Sequence, residues 1–152
     1  MIDLASLAED LAPDGSLRDV YVFGTSLEDW DRVLAFAASC DATVEYLVDG
    51  EAQSSLPTAA AAFALRPDAS PLLRLCLNGV TFASHFFTSD EIEFDFVPNE
   101  IDKPERLQAL LQFVEGLGRS TGKAVVVTQE NSPELTFLRY DPHRSSVEHI
   151  HE

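Results

Sequence analysis

The sequence predicts a single α+β domain in which a mainly antiparallel sheet of six or seven strands packs against two long helices. The chain has 152 residues and is 45% hydrophobic, which is enough to bury one sizeable core. Several short segments alternate β-branched or aromatic residues with polar ones, as half-buried strands do. Two longer segments repeat apolar residues at helical spacing. We therefore assign residues 1–152 to one domain and expect residues 142–152 to form a polar C-terminal tail.

The N-terminal half is predicted to place the first long helix between two strands. "MIDLASLAEDLAP" fits a short amphipathic helix that ends at Pro13, and "RDVYVFG" fits the first strand. Thr25 and Glu28 have the spacing of a capping box at the start of the long helix. "TVEYLVDG" is predicted to be a strand that ends in an Asp49–Gly50 turn. The apolar stripe of the helix consists of Leu27, Trp30, Val33, Leu34 and Ala37.

The C-terminal half is predicted to start with three antiparallel strands. "LLRLCLNGVTFASHFF" fits a hairpin around Asn78–Gly79, because these residues tolerate the positive φ values of a type I′ turn. "EIEFDFV" is the third strand of this group. Asp102 and Glu105 have capping-box spacing for the second long helix, residues 103–118. "KAVVVTQ" and "ELTFLRYD" complete the sheet. Residues 51–70 fit either a short Ala-rich helix or an irregular crossover.

The Asn78–Gly79 turn also predicts the register of the strands around it. A two-residue turn pairs Leu77 with Val80. The connection to the next strand is ambiguous, since an odd-length loop places Phe82 opposite Phe96, whereas an even-length loop sets apolar residues against acidic ones. Burial favours the odd-length loop, because a one-residue slip moves every side chain to the other face.

With this register, the candidate functional residues share the face of the sheet that the helices leave free. We expect Arg74 to reach Asp95 across two strands and His85 to pair directly with Glu93. Acidic groups around a few aromatic side chains suit the recognition of a cationic protein. The candidate partner-binding residues are Arg74, His85, Phe87, Glu91, Glu93 and Asp95.

The charge balance narrows the classes of partner. Twenty-six acidic residues against ten Lys and Arg give a formal net charge of −16. A phosphate backbone and an anionic membrane surface both reward basic residues, so we expect neither nucleic acid nor a membrane as partner. A cationic protein is instead attracted to the chain. The chain begins without a signal-peptide pattern, and its two cysteines are widely separated, so we expect a cytoplasmic protein.

Four other interpretations of the polar face stay open at this point. His85 and Glu93 are spaced for acid–base chemistry in a hydrolase-like or small-molecule-binding pocket, although no nucleophile elbow, P-loop, GxGxxG or HExxH motif accompanies them. His85, Glu93 and Asp95 would suit a divalent cation, but a neighbouring arginine competes with it. The face is otherwise an ordinary solvated surface, or the contact of a homodimer. We expect no enzymatic activity and no cofactor. We also expect no metal site, because a terminal pair such as His149 and His151 binds metal only adventitiously.

Three segments of the chain resemble a group of small acidic bacterial proteins. They are "VYVFGTSLEDWDRVL", "SHFFTSDEIEFDF" and "VTQENSPELTFLRYDP", in that order, and the resemblance spans residues 19–142. This group is associated with immunity in polymorphic-toxin systems. The resemblance therefore implies a cytoplasmic protein that neutralises a toxin by occluding it, and it implies no chemistry. Our expectation is a non-enzymatic protein-binding domain, with an immunity-type role as the specific hypothesis.

Overall fold

The computed structural model describes residues 2–151, and within them nine strands and three helices alternate along the chain. The strands are β1 (Arg18–Phe23), β2 (Thr43–Val48), β3 (Glu51–Ala52), β4 (Pro71–Leu77), β5 (Val80–Ser84), β6 (Glu91–Phe96), β7 (Val125–Gln129), β8 (Ser132–Asp141) and β9 (Ser146–His149). The helices are α1 (Leu27–Ser39), α2 (Ala59–Ala64) and α3 (Pro104–Thr121). This confirms the α+β class and the antiparallel sheet.

All nine strands belong to one sheet, in the order β3-β2-β4-β5-β6-β1-β7-β8-β9, and every neighbouring pair is antiparallel. The expected number of six or seven strands is therefore wrong, because both edge strands were missed. β3 has only two residues. β9 lies in the segment that we expected to be a polar tail, and its backbone pairs with β8 from Asp141–Ser146 to Leu138–His149. Edge strands are short and polar, so hydrophobic alternation does not reveal them.

The predicted register around the Asn78–Gly79 turn is confirmed. Asn78 and Gly79 have φ values of 47° and 88°, as a type I′ turn requires, and Leu77 is the partner of Val80. Across the next connection Ala83 is the partner of Asp95, which is the register of the odd-length loop. The side chains of β4, β5 and β6 therefore alternate between a buried helix-covered face and a half-buried open face.

The helices begin and end at residues other than those predicted. The capping box of α1 is formed by Ser26 and Asp29, one residue beyond the predicted pair. α3 begins with Pro104 after Lys103 and has no side-chain cap, so the predicted Asp102–Glu105 box is wrong. Pro suits this position because the first helical N–H needs no intrahelical partner. The helix continues to Thr121 and ends at Gly122, which is left-handed with φ 69°.

Two other expectations about short segments are resolved by the backbone. The N-terminal segment contains only a 3-10 turn at Ala5–Leu7, although Leu7 and Leu11 are buried as the amphipathic pattern predicted. Residues 51–70 contain both β3 and the short helix α2, whose N-cap Thr58 accepts a hydrogen bond from the N–H of Ala61. Of the two alternatives predicted for this segment, the short Ala-rich helix is therefore the correct one.

The core lies between the helices and one face of the sheet. Phe113 of α3 stacks on Phe82 with their ring centroids 4.0 Å apart, and it meets Phe94 edge-on. Trp30 of α1 stacks on Phe86 at 5.0 Å, so its predicted place in the apolar stripe is confirmed. These contacts put α1 and α3 on the same side and leave the other face of the central strands free of helices.

Candidate functional site

The candidate site is the "acidic face", which we define as Asp19, Glu91, Glu93 and Asp95 on the helix-free side of β1 and β6. β1 lies next to β6, and their register sets Asp19 opposite Asp95 and Tyr21 opposite Glu93. Like charges directly opposite one another on neighbouring strands repel. The alternating burial of β6 turns its apolar residues to the core, so its three acidic residues are left on the open side.

Asp19 is the buried member of the acidic face, with only 3% of its surface exposed. Its Oδ2 accepts hydrogen bonds from the backbone N–H of Asn131 (2.7 Å) and from the hydroxyl of Tyr21 (3.1 Å). Burial nevertheless raises the pKa of this carboxyl, because removal from water outweighs the two hydrogen bonds. Asp19 thus links the acidic face to the turn between β7 and β8.

Glu93 is the most strongly perturbed member. Burial, followed by the charges of Asp19, Asp95 and Glu91, raises its pKa to about 7. Burial is also the largest cause of the raised pKa of Asp95, which the positive charge of His85 partly offsets. The pKa of Glu91 is raised by burial and by its acidic neighbours. The four carboxyl groups therefore destabilise one another when all are ionised.

No Lys, Arg or His of residues 2–151 forms an ion pair with any member of the acidic face. The predicted contact between Arg74 and Asp95 is wrong, because Arg74 turns the other way and its Nη2 lies 3.4 Å from Oε1 of Glu45. Glu45 is the β2 partner of Arg74, and the sequence did not predict that β2 lies beside β4. Within residues 2–151 the acidic face is consequently left without an ion pair, and His85 acts on it only through the longer-range effect of its charge on the pKa of Asp95.

The predicted pair of His85 and Glu93 is not formed either. β5 ends at Ser84, and Phe86 buries its ring in the core with a φ of 54°, which takes the chain off the ladder before it can pair further with β6. The His85 ring instead stacks on Phe87 at 5.4 Å. Neither His85 nor Glu93 lines any of the five best-formed clefts in the part of the chain that the structure describes.

One exposed aromatic residue adjoins the acidic face, and a second lies in the connection that leads into β6. Phe23 is the β1 partner of Glu91, is 45% exposed and stacks on Tyr21 at 5.0 Å. Phe87 is 56% exposed, and the Arg66 guanidinium lies 5.7 Å from its ring centre. Exposed aromatic rings are typical anchors of protein interfaces. Phe23 therefore gives the Glu91 end of the acidic face an exposed apolar group.

Sequence reasoning found Glu91, Glu93 and Asp95 but missed the contribution of β1. Asp19, Tyr21 and Phe23 alternate in "RDVYVF", so their common face was readable from the strand pattern. What was not readable is that β1 pairs with β6, because these strands are separated by about seventy residues and nothing local fixes their order.

The carboxyl groups of the acidic face can attract cationic groups and accept hydrogen bonds. Burial and the neighbouring carboxylates raise the pKa of Tyr21, so its hydroxyl stays protonated and donates to Asp19.

Among residues 2–151, no group of three or more His, Cys, Asp or Glu side chains is arranged to hold a metal ion. Of the terminal histidines, His149 is engaged with Oδ2 of Asp10 at 3.1 Å. No helix within these residues is long and apolar enough to cross a bilayer.

Comparison of the chain with protein-family models, with curated proteins and with solved structures gave no match.

Proposed function

We propose that this protein is a non-enzymatic binding domain that docks a cationic protein on its acidic face. The observation that carries the proposal is a set of four carboxyl groups on two adjacent central strands, half-buried or buried, without an ion-pair partner among the described residues. A Lys or Arg side chain placed between them would relieve their mutual repulsion. An isolated surface carboxylate has no such repulsion to relieve, so it attracts a cation less strongly.

The exposed aromatic residues support the same function. Phe23 is the β1 partner of Glu91, so a partner seated over Glu91 would cover it, and Phe87 is exposed in the connection that leads into β6. Both expose about half of their surface. Charge then sets the association rate and the orientation of the partner, while the aromatic rings supply apolar contact area. The proposed binding residues are therefore Phe87, Glu91, Glu93 and Asp95 from the sequence, with Asp19 and Phe23 added. Arg74 and His85 lie at the margin of this surface.

The specific form of the proposal is an immunity-type protein that occludes a basic toxin. Its supports are the resemblance of residues 19–142 to small acidic bacterial proteins and the net charge of −16. Growth rescue tests this role. The product of the gene next to this one should arrest growth when expressed alone, and co-expression of this protein should restore growth. Restoration by a variant that lacks the charges of Glu93 and Asp95 would contradict occlusion by the acidic face.

A binding experiment tests docking without knowledge of the toxin. The probe is a peptide of six lysines and one tryptophan, and the test variant is Glu93→Gln/Asp95→Asn. The matched control is Glu105→Gln/Glu134→Gln, which removes the same charge from exposed positions outside the face. We expect the test variant to slow association by about tenfold at low salt and by less at high salt, and the control to stay within about twofold. An equal effect of both variants would assign the attraction to overall charge and refute the proposal.

A homodimer that forms through the acidic face is the alternative to a cationic partner. Ionised carboxylates facing their own copies repel, so we expect light scattering to report a monomer at pH 8. A dimer whose dissociation follows the ionisation of Glu93 would replace the cationic partner with a second copy of this chain.

A further inference from the structure

A second site lies away from the acidic face, in a cleft of about 530 Å³ between the β2–β3 hairpin and α2. We call it the Tyr46 groove. Its apolar wall consists of Val48, Leu56, Ala61 and Leu65. This volume is within the range of small-molecule sites.

Tyr46 supplies the polar group inside this groove. Its side chain is on the helix-covered side of β2, only 7% of the residue is exposed, and its ring packs edge-on against Phe86 with the ring centres 6.2 Å apart. The hydroxyl makes no hydrogen bond with any residue of the described chain, and its oxygen is not among the fully buried side-chain atoms that lack a partner. It is therefore open to the groove that Tyr46 lines. The groove offers one hydrogen-bonding group, positioned by the packed ring, against an apolar wall.

The rim of the groove carries negative charge. The carboxylate of Asp49 is held by the backbone N–H of Ser70, which donates to Oδ1 at 2.9 Å. Glu51 is exposed on β3 and makes no ion pair in the residues that the structure describes. No Lys, Arg or His lines the groove. An anionic molecule would be repelled here, whereas an ammonium group can meet carboxylates and donate a hydrogen bond to the Tyr46 oxygen.

We infer that the Tyr46 groove binds small primary amines that carry an apolar or aromatic body. The body lies against Val48, Leu56 and Leu65, and the ammonium group is directed to the Tyr46 hydroxyl and to the carboxylates of the rim. This inference is independent of the acidic face, because none of the residues of that face lines the groove.

The test uses 2-phenylethylamine as the probe and phenylacetate as a probe of similar shape and opposite charge, followed by amide NMR. The amine should shift the signals of Tyr46, Ala61 and Leu65 saturably, and the acid should bind at least about tenfold more weakly. Tyr46→Phe keeps the ring and should weaken the amine about threefold to tenfold. The absence of saturable shifts up to about 10 mM amine, or shifts confined to β1 and β6, would refute the inference.

Three further variants separate the groove from overall charge and from misfolding. Ala61→Phe fills the groove from an exposed position of α2 and should weaken the amine by at least about tenfold. Glu51→Lys should remove the preference for the amine over the acid, while Glu134→Lys, an equal change at a distant exposed position, should leave it intact. If Ala61→Phe does not fold, the two lysine variants decide alone: loss of preference in both, or in neither, would overturn the site.

Discussion

Substitution of Glu93 by Gln tests whether the ionised carboxylates of the acidic face destabilise the folded chain. The change removes one carboxylate but keeps the size of the side chain and its place opposite Tyr21. In the folded chain the pKa of Glu93 is raised from 4.5 to about 7, mainly by burial and then by Asp19, Asp95 and Glu91. A raised carboxyl pKa means that folding favours the protonated form, so ionisation of Glu93 lowers the free energy of unfolding.

The direction and size of the effect follow from this shift. The contribution of Glu93 to stability is fully present below pH 4.5 and is lost as the pH rises through about 7. A shift of this size corresponds to at most about 3 kcal/mol, and solvent screening of the half-buried side chain reduces it to about 1–2 kcal/mol. Glu93→Gln should therefore raise the free energy of unfolding by about 1–2 kcal/mol at pH 8 and change it little at pH 4.5.

Urea unfolding of the wild type and the variant at the two pH values measures this difference. Glu134→Gln is the matched control, since Glu134 is an exposed carboxylate on β8 outside the acidic face, and it should shift stability by less than about 0.5 kcal/mol at either pH. A stabilisation of the same size at both pH values would point to packing rather than charge. No gain at pH 8 would refute the destabilisation on which the docking proposal rests.

Three more predictions follow from the same structure. Association with the lysine peptide should strengthen from pH 6 to pH 8 as Glu93 ionises, and a stopped-flow titration should show that Glu93→Gln loses most of this dependence. Gly118→Ala should destabilise the protein by about 1–3 kcal/mol in thermal unfolding, because the added Cβ would overlap the buried ring of Tyr140. The control Gln112→Ala, on the exposed side of α3, should destabilise it by less than about 0.5 kcal/mol. Removal of residues 143–152 deletes β9 and should lower the free energy of unfolding by about 2–4 kcal/mol. If the truncated chain is as stable as the full one, the interpretation of this segment as a polar tail is correct.

The parts of the fold that were predictable are those encoded locally. The Asn78–Gly79 turn and the alternation on both sides of it fix the register of β4, β5 and β6, because positive φ values and burial admit one solution. The start of α1 was predicted to within one residue, because Thr25 and Ser26 are both favoured N-cap residue types and the structure uses Ser26, while the Thr25 hydroxyl donates to the backbone oxygen of Ser89. Strand register and the start of the helix were therefore predictable because a turn and a cap, formed by residues close together in the chain, determine them.

The contacts that were not predictable depend on which strands become neighbours. Arg74 pairs with Glu45 because β2 lies beside β4, and Asp19 joins the acidic face because β1 lies beside β6. Strand order is set by packing of the whole sheet against α1 and α3, and no spacing within the chain records it. The displacement of His85 from the ladder likewise depends on the burial of Phe86 against Trp30.

The position of the acidic residues supports the proposed binding surface over acidity that only maintains solubility. A carboxylate that serves solubility is placed where water screens it, as Glu105 and Glu134 are. Asp19, Glu93 and Asp95 are instead placed opposite or next to one another on the central strands, where burial and repulsion raise the pKa of each. A functional site is where a protein retains such a local conflict, and a cationic partner is what would relieve this one. We therefore infer that the acidic face is adapted to its bound state rather than to the free protein.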